Sequence, residues 1–380
     1  MLSLRWPWRR QTSSDQLVVS WSGKALAYVL ARAGADGTHE VLKFGVEHPG
    51  SDSTDVLVPR LNALGLKGLT THIMLRPEQY QLLQIDAPPV APEELRAAAR
   101  YQIREMIQSH VDDVTLDVMR VGDREPKSAG HLFVVVATNA VVRDVLQFGS
   151  DMHWTVHVID IQETAQRNLQ SALAAREGQP ERANAALVLV EGQQAVLTIS
   201  ANEELFYSRR FDLPEGFLAA PWGQTGAAAA APAAAVADAS SFTPVEEYVP
   251  DYSVGGVSYG NDYSAAPAVH PAPVAGAANG AAVARAVVDD ERAQRFLVEV
   301  QRSLDVWDRS WSSKPLGAVR VYAGERTEEL AKWLAVWIGQ TVLPLDVTAL
   351  FPGFAGGVAA DRALCLPLLG VLLRSERRQP

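Results

Sequence analysis

A chain of 380 residues is long enough for two compact units at roughly 100 to 200 residues per domain, which excludes a small disulfide-stapled scaffold. Apolar residues make up 48% and charged residues 21%, an ordinary soluble globular mixture that excludes wholesale disorder. The net charge of -10, from 34 Lys and Arg against 44 Asp and Glu, provides no extended basic field and argues against nucleic acid as a partner.

The first ten residues carry three arginines, two tryptophans and no acid. Trp6, Trp8, Arg9 and Arg10 would suit an anionic membrane surface, with a frayed, solvated terminus as the alternative. They lack the apolar core and cleavage site of a secretory signal. Alternation then predicts strands over 17–22, 25–31 and 40–46, a meander punctuated by Gly23, Gly34 and Gly37. Two more extended segments fall at 72–75 and 80–85. Pro88 and Pro89 stop the extended chain, and Pro92 suits the first turn of a helix running to about 108. Leu95, Ala99, Ile103 and Ile107, with Met106 beside them, form its apolar stripe, and Tyr101 lies off that stripe.

A strand through Leu116 and Val118 follows, and the unbroken run 132–137 suits a strand covered on both faces. Asn139 is a candidate cap for a helix to Gly149. A strand at 154–159 and a helix at 163–176 continue an alternation that predicts an α/β fold with a largely parallel sheet. The opening pattern then recurs as strands at 187–190, 195–200 and 205–211.

The composition breaks at 219–286, where 23 Ala, 7 Gly and 7 Pro account for most of 68 residues and six positions are charged. Such a stretch cannot build a core, and a disordered insertion is expected, in which Tyr248, Tyr252, Tyr259 and Tyr263 are either neutral or stickers for a partner. Beyond it come a helix at 290–306, a strand at 318–322, a helix at 327–339, a strand at 342–346 and a helix at 361–373. No run of 18 apolar residues is long enough to span a bilayer. The single cysteine, Cys365, excludes an internal disulfide and a Cys-based zinc cluster, fits a reducing cytoplasm and sits in an apolar helix as an inert thiol.

Two copies of one plan, three strands and then helix-strand alternation, give the layout of the actin-like ATPase superfamily, a duplicated ribonuclease H-like α/β fold. Three stretches sharpen the resemblance: RPEQYQLLQIDAP at 76–88 with PEELRAAARYQIREMI at 92–107, VHVIDIQETAQRNL at 156–169, and FPGFAGGVAADRALCLPLLGVLLR at 351–374. Together they resemble PilM-type proteins, especially the MshI group. The expected boundaries are a basic tail at 1–15, a first lobe at 16–184 holding an inserted subdomain at about 87–150, a second lobe at 185–218 and 287–380, and the insertion at 219–286.

The resemblance implies a cytoplasmic scaffold, peripheral at the inner membrane, in the assembly platform of a type IV pilus of the mannose-sensitive haemagglutinin (MSHA) kind. Its partner would be the N-terminal tail of a PilN/MshJ-like single-span protein, alongside other platform proteins, with Tyr101 a candidate contact. An active actin-like ATPase and a platform component of a type II secretion system are the alternatives.

For nucleotide, the resemblance implies Asp-x-Gly turns after the first strand of each meander, because the acid orients Mg²⁺ through water while the backbone cradles phosphate. Here the first turn reads Ser20-Trp21-Ser22-Gly23-Lys24 and the second Glu191-Gly192, while the adenosine turn keeps Gly324 alone and places Glu325 after it. No catalytic residue and no cofactor is expected, ATP and Mg²⁺ being disfavoured. The Gly-rich spacing of a P-loop fails at Gly23-Lys24. His153 and His157 with Asp160, four apart on a strand, are spaced too far to chelate one metal. Ser312 and Ser313 have no base at a recognisable spacing.

Overall fold

The computed structural model describes residues 15–23, 25–34, 38–49, 54–122, 130–190, 194–222 and 277–374. Strands β1 (Asp15–Trp21), β2 (Leu26–Ala33) and β3 (His39–Glu47) pair antiparallel as the alternation predicts. Helix α1 (Thr54–Ala63) follows, and it escaped the sequence reading because Pro59 interrupts its middle. Its Leu57 and Leu61, four apart, are fully buried, so packing of one apolar stripe offsets the lost backbone bond. Strand β4 (Thr70–Met74) then runs parallel to β1.

Strand β5 (Gln81–Asp86), helix α2 (Leu95–Gln102), strand β6 (Val114–Val121) and strand β7 (His131–Thr138) form a separate three-stranded sheet in the order β5-β7-β6, antiparallel throughout. Leu132, Val134 and Val136 of the central β7 pack under Leu95, Ala99 and Ile103 of α2 and its extension. Phe133 points the other way. The strand is covered on both faces, as its unbroken apolar run implies. Helix α3 (Asn139–Asp151) starts one residue earlier than expected, because Thr138 rather than Asn139 caps it, its Oγ1 accepting from the Val141 amide at 3.4 Å. Strand β8 (Thr155–Asp160) completes the first sheet, β3-β2-β1-β4-β8, and helix α4 (Gln162–Arg176) follows.

The plan repeats with β9 (Ala183–Val190), β10 (Gln194–Ala201) and β11 (Glu204–Asp212), then α5 (Ala277–Ser310), β12 (Leu316–Tyr322), α6 (Thr327–Trp337), β13 (Val342–Pro344) and α7 (Ala359–Leu372). The second sheet is ordered β11-β10-β9-β12-β13. Each large sheet is therefore half antiparallel meander and half parallel, which corrects the expectation of a largely parallel sheet.

The two closing helices change places. Helix α7 lies on β1, β2 and β3 of the first sheet, while α4 packs on β9, β10 and β11 of the second, and the two cross each other between the sheets. One apolar cluster runs through this sandwich, from Val18, Ala27 and Val29 through Leu169, Leu366 and Leu369 to Val188. At the crossing, Gly370 leaves no room for a Cβ against the Ala165 backbone, and its carbonyl accepts from Asn168 Nδ2 at 2.9 Å.

Three expected boundaries move. The inserted sheet begins at Gln81 and ends at Thr138, whereas Val145 and Phe148 of α3 pack with Leu17 and Trp21 of the first sheet. Residues 219–222 are packed rather than part of an insertion: Trp222 is buried against Phe217 and Trp333. Positions 277–286 are helical in α5. One compact unit comprises residues up to Trp222 and from Arg292, and a second spans Gly223–Glu291, of which the described part is helix. Tyr248, Tyr252, Tyr259 and Tyr263 lie outside the described residues.

Candidate functional site

The first turn follows β1. Trp21 is buried and its ring stacks on Phe148, with centroids 4.9 Å apart. Its carbonyl accepts from Gln79 Nε2 at 2.8 Å, and Gln79 Oε1 accepts from the Arg76 amide at 2.8 Å. Ser22 Oγ accepts from the Ala25 amide at 3.3 Å, and Gly23 takes a φ of +78°, which a residue with a Cβ rarely adopts. The turn is thus closed by its own neighbours. Ser20 is buried, with no hydrogen-bond partner for its Oγ among the described residues.

The turn after β12 is closed in the same way. Thr327 Oγ1 accepts from the Ala323 amide at 3.0 Å and donates to the Gly324 carbonyl at 2.7 Å. Arg326 pairs with Glu329 at 2.6 and 2.8 Å, donates to the Leu218 carbonyl, and lies 3.9 Å above the Trp222 ring. The cavity beside Gly324, lined by Tyr322, Asp346, Thr348 and Arg362 among others, measures about 260 Å³. That is below the roughly 300 Å³ at which small-molecule sites begin. Burial pushes the Tyr322 phenol up to about 12.

The end of β8 and the start of α4 carry one buried carboxylate each, Asp160 and Glu163. Glu163, 0% exposed, accepts from Arg210 Nε at 2.7 Å and from the Tyr80 hydroxyl. Tyr80 in turn accepts from the Gln162 amide at 3.1 Å. Burial first, and then the Glu163 charge, hold the Tyr80 phenol well above its ordinary range, so it stays a donor. Asp160 accepts from the Ile161 amide at 2.9 Å, from Arg374 Nη1 at 2.8 Å and from the Thr164 hydroxyl. Each acid is thus paired with a guanidinium and a hydroxyl of the protein, so a cation already built into the chain neutralises it. No three His, Cys, Asp or Glu side chains among the described residues are placed to hold a metal.

A different surface is open. Among the described residues, strand β5 pairs on one side only, with β7. Beside it Gln84, Ile85, Asp86, Gln102, Met106 and His131 line a cavity of about 450 Å³, with His131 Nδ1 3.2 Å from Asp86. Tyr101 is 75% exposed and Met106 49%. An unpaired strand edge next to exposed apolar side chains suits an extended peptide, whose main chain would bond β5 while alternate side chains entered the cavity.

Among solved structures, a chain of the PilM-PilN type IV pilus biogenesis complex matches 95% of this chain and 99% of its own, at 14% identity and a TM-score of 0.58. The fold is actin-like. A Bacteroides thetaiotaomicron protein with an actin-like ATPase fold and unknown function matches 94% of this chain and 97% of its own, at 8% identity and a TM-score of 0.44. The cytoplasmic domain of EpsL, an inner-membrane component of the type II secretion system of Vibrio cholerae, matches 53% and 72%, at 17% identity and a TM-score of 0.38. No family model and no curated protein sequence matches.

Within this actin-like fold the expected nucleotide residues divide. Ser20, Ser22 and Gly23 share one turn, Gly324 lies on the other sheet, and Lys24, Glu191 and Gly192 fall outside the described residues, as do Trp6, Trp8, Arg9 and Arg10. Glu325 is exposed. The expected apolar stripe includes Met106, but the helix tightens into a 3-10 turn after Gln102 and turns Met106 outward. His153 and His157 do not meet: His153 sits in a turn at φ +57° with its ring 3.1 Å from the Ser150 carbonyl, and His157 lies edge-on to His72. The sequence reading missed Tyr80, Glu163 and Arg210 as a unit. Their separations of 47 and 83 residues leave no local signal.

Proposed function

We propose that this chain is a non-enzymatic adaptor of a type IV pilus assembly platform, of the MSHA kind, working at the cytoplasmic face of the inner membrane. Its inserted sheet would hold the N-terminal tail of a PilN/MshJ-like single-span protein along β5. The observation that carries the non-enzymatic part is the pairing of Glu163 with Arg210 and of Asp160 with Arg374, in a molecule whose first and third turns are closed by Gln79 and Thr327. The partner reading is supported by the fold shared with a chain of the PilM-PilN complex and by the open β5 edge beside Met106, with Tyr101 exposed on α2. No helix among the described residues is long and apolar enough to cross a membrane, in keeping with attachment through a partner.

Calorimetry with synthetic N-terminal tails of single-span pilus proteins tests the reading. One tail should bind at about micromolar strength, and Tyr101→Glu or Met106→Glu should weaken it at least about tenfold, the scale of one interface contact, without lowering the melting temperature. Magnesium-dependent ATP hydrolysis lost on Lys24→Ala would overturn the adaptor reading. If no tail binds while the chain still co-sediments with membranes, the segment with Trp6, Trp8, Arg9 and Arg10 becomes the attachment.

A further inference from the structure

Three distant parts of the chain meet at Glu163. The loop before β5 supplies Tyr80 and the Pro77 carbonyl, the first turn of α4 supplies Glu163 and the Gln162 amide, and β11 supplies Arg210. The Arg210 guanidinium donates to Glu163 at 2.7 Å and to the Pro77 carbonyl at 2.7 Å, and it lies 4.2 Å from the centre of the Tyr80 ring. One cation on β11 therefore binds a carboxylate of α4 together with a carbonyl and an aromatic face of the loop. The loop leads directly from the first sheet into the inserted one, and β11 is the outer strand of the second sheet.

A second tie runs parallel to it. Val121 and Phe133 of the inserted sheet are buried within the core of the second sheet, with Met119 and Leu82 packed beside them. Arg167 of α4 also points Nη1 at Met119 Sδ, 3.6 Å away. The inserted sheet thus bridges the two halves, and the Glu163 cluster is the polar member of that bridge.

The energetics require a partner here. A fully buried carboxylate left unpaired is strongly unfavourable, and the start of a helix favours it only in part. In a cleft open to solvent a divalent cation could neutralise it; in this molecule a guanidinium tethered to β11 occupies that place.

We propose that Tyr80, Glu163 and Arg210 form a latch that holds the two large sheets closed on each other without any ligand, with the Arg210 guanidinium as its built-in cation. The latch does not depend on the partner reading and stands or falls separately from it.

Hydrogen exchange on the full chain tests it. In Arg210→Ala, the amides of β5, β11 and the first turn of α4 should exchange on the order of a hundredfold faster, the scale of breaking a buried pair. Those of β2 and β3 should be unchanged. Millimolar methylguanidinium, which fits the vacated space and charge, should restore most of the lost protection, which a role in packing alone would not permit. Tyr80→Phe removes one donor and should give a smaller rise in the same segments; it also decides the matter if Arg210→Ala does not fold. Acceleration spread evenly over every strand, no change at β11, or a folded Arg210→Ala protein indifferent to methylguanidinium would each overturn the latch.

Discussion

Replacing Gly370 with alanine probes the crossing of α4 and α7. An added Cβ would lie 2.6 Å from the Ala165 carbonyl carbon and 2.9 Å from its Cα, where ordinary contacts begin at 3.4 Å. The obstructing atoms are backbone in the first turn of α4, so no side chain can swing aside and the helices must part. Overpacking of this kind costs roughly 1 to 3 kcal/mol, sometimes more. Parting also breaks the bond from Asn168 to the Gly370 carbonyl, and stranding that buried amide costs about 1 to 3 kcal/mol. Alanine returns about 1 kcal/mol through its higher helix propensity. The net expectation is a loss of about 3 kcal/mol, or roughly 4 °C in melting temperature for a chain of this size. Thermal and urea unfolding followed by circular dichroism measure it. Gly356→Ala is the matched control, since φ is -79° there and no atom of the described residues lies within 4 Å, so that variant should be neutral or slightly stabilised. If Gly370→Ala melts with the wild type, the helices are not in the contact described and the account of the crossing is wrong.

Burial pushes the Cys365 thiol from 9.0 up to about 12 and the Tyr28 phenol from 10.0 up to about 12. The unfolded chain releases these protons first, so stability is intact below pH 9 and falls as pH rises towards 12, by about tenfold in the folding constant per pH unit for each group. Urea midpoints at pH 8, 9 and 10 should show this decline, with Cys365→Ala flattening its early part; a stability rising above pH 9 would contradict the burial. Trp222→Ala should cost about 3 to 5 kcal/mol in urea unfolding, because the ring fills space among Phe217, Trp333 and Arg326. Exchanging residues 223–276 for a flexible Gly/Ser linker should leave the melting temperature within a few degrees, and a large loss would show that these residues contribute to the core.

Much of the secondary structure was legible because strands that bury one or both faces declare themselves by alternation or by apolar runs. The meanders at β1 to β3 and β9 to β11 and the apolar run of β7 are of this kind. Helix α4 shows what is not legible. Its sequence QETAQRNLQ is that of a solvated helix, yet residues 162 to 170 are all buried between the sheets. The second sheet makes this possible, since Gln170 Nε2 donates to the Asn184 carbonyl at 2.7 Å, and Gln166 Nε2 lies 3.3 Å from the Val196 carbonyl and 3.2 Å from Thr198 Oγ1. Such bonding depends on strands that arrive later in the chain, and no periodicity within the helix announces them. The candidate site divides along the same line. The worn turns could be read from Ser20 and Gly324, whereas the Tyr80, Glu163 and Arg210 cluster depends on contacts across 47 to 130 residues.

The exchange of α4 and α7 also fixes the order in which the molecule can be completed. Cys365 on α7 reaches the carbonyls of Tyr28 and Gly45, and the first of these contacts joins residues 337 positions apart. At a synthesis rate of about 5 to 20 residues per second, the inner face of the first sheet waits on the order of tens of seconds for its cover. During that interval Val18, Ala27 and Val29 face water or a chaperone. A ribosome stalled after residue 160 and before residue 359 would therefore release a chain whose first sheet has every strand and no roof, a substrate for quality control rather than a smaller working protein.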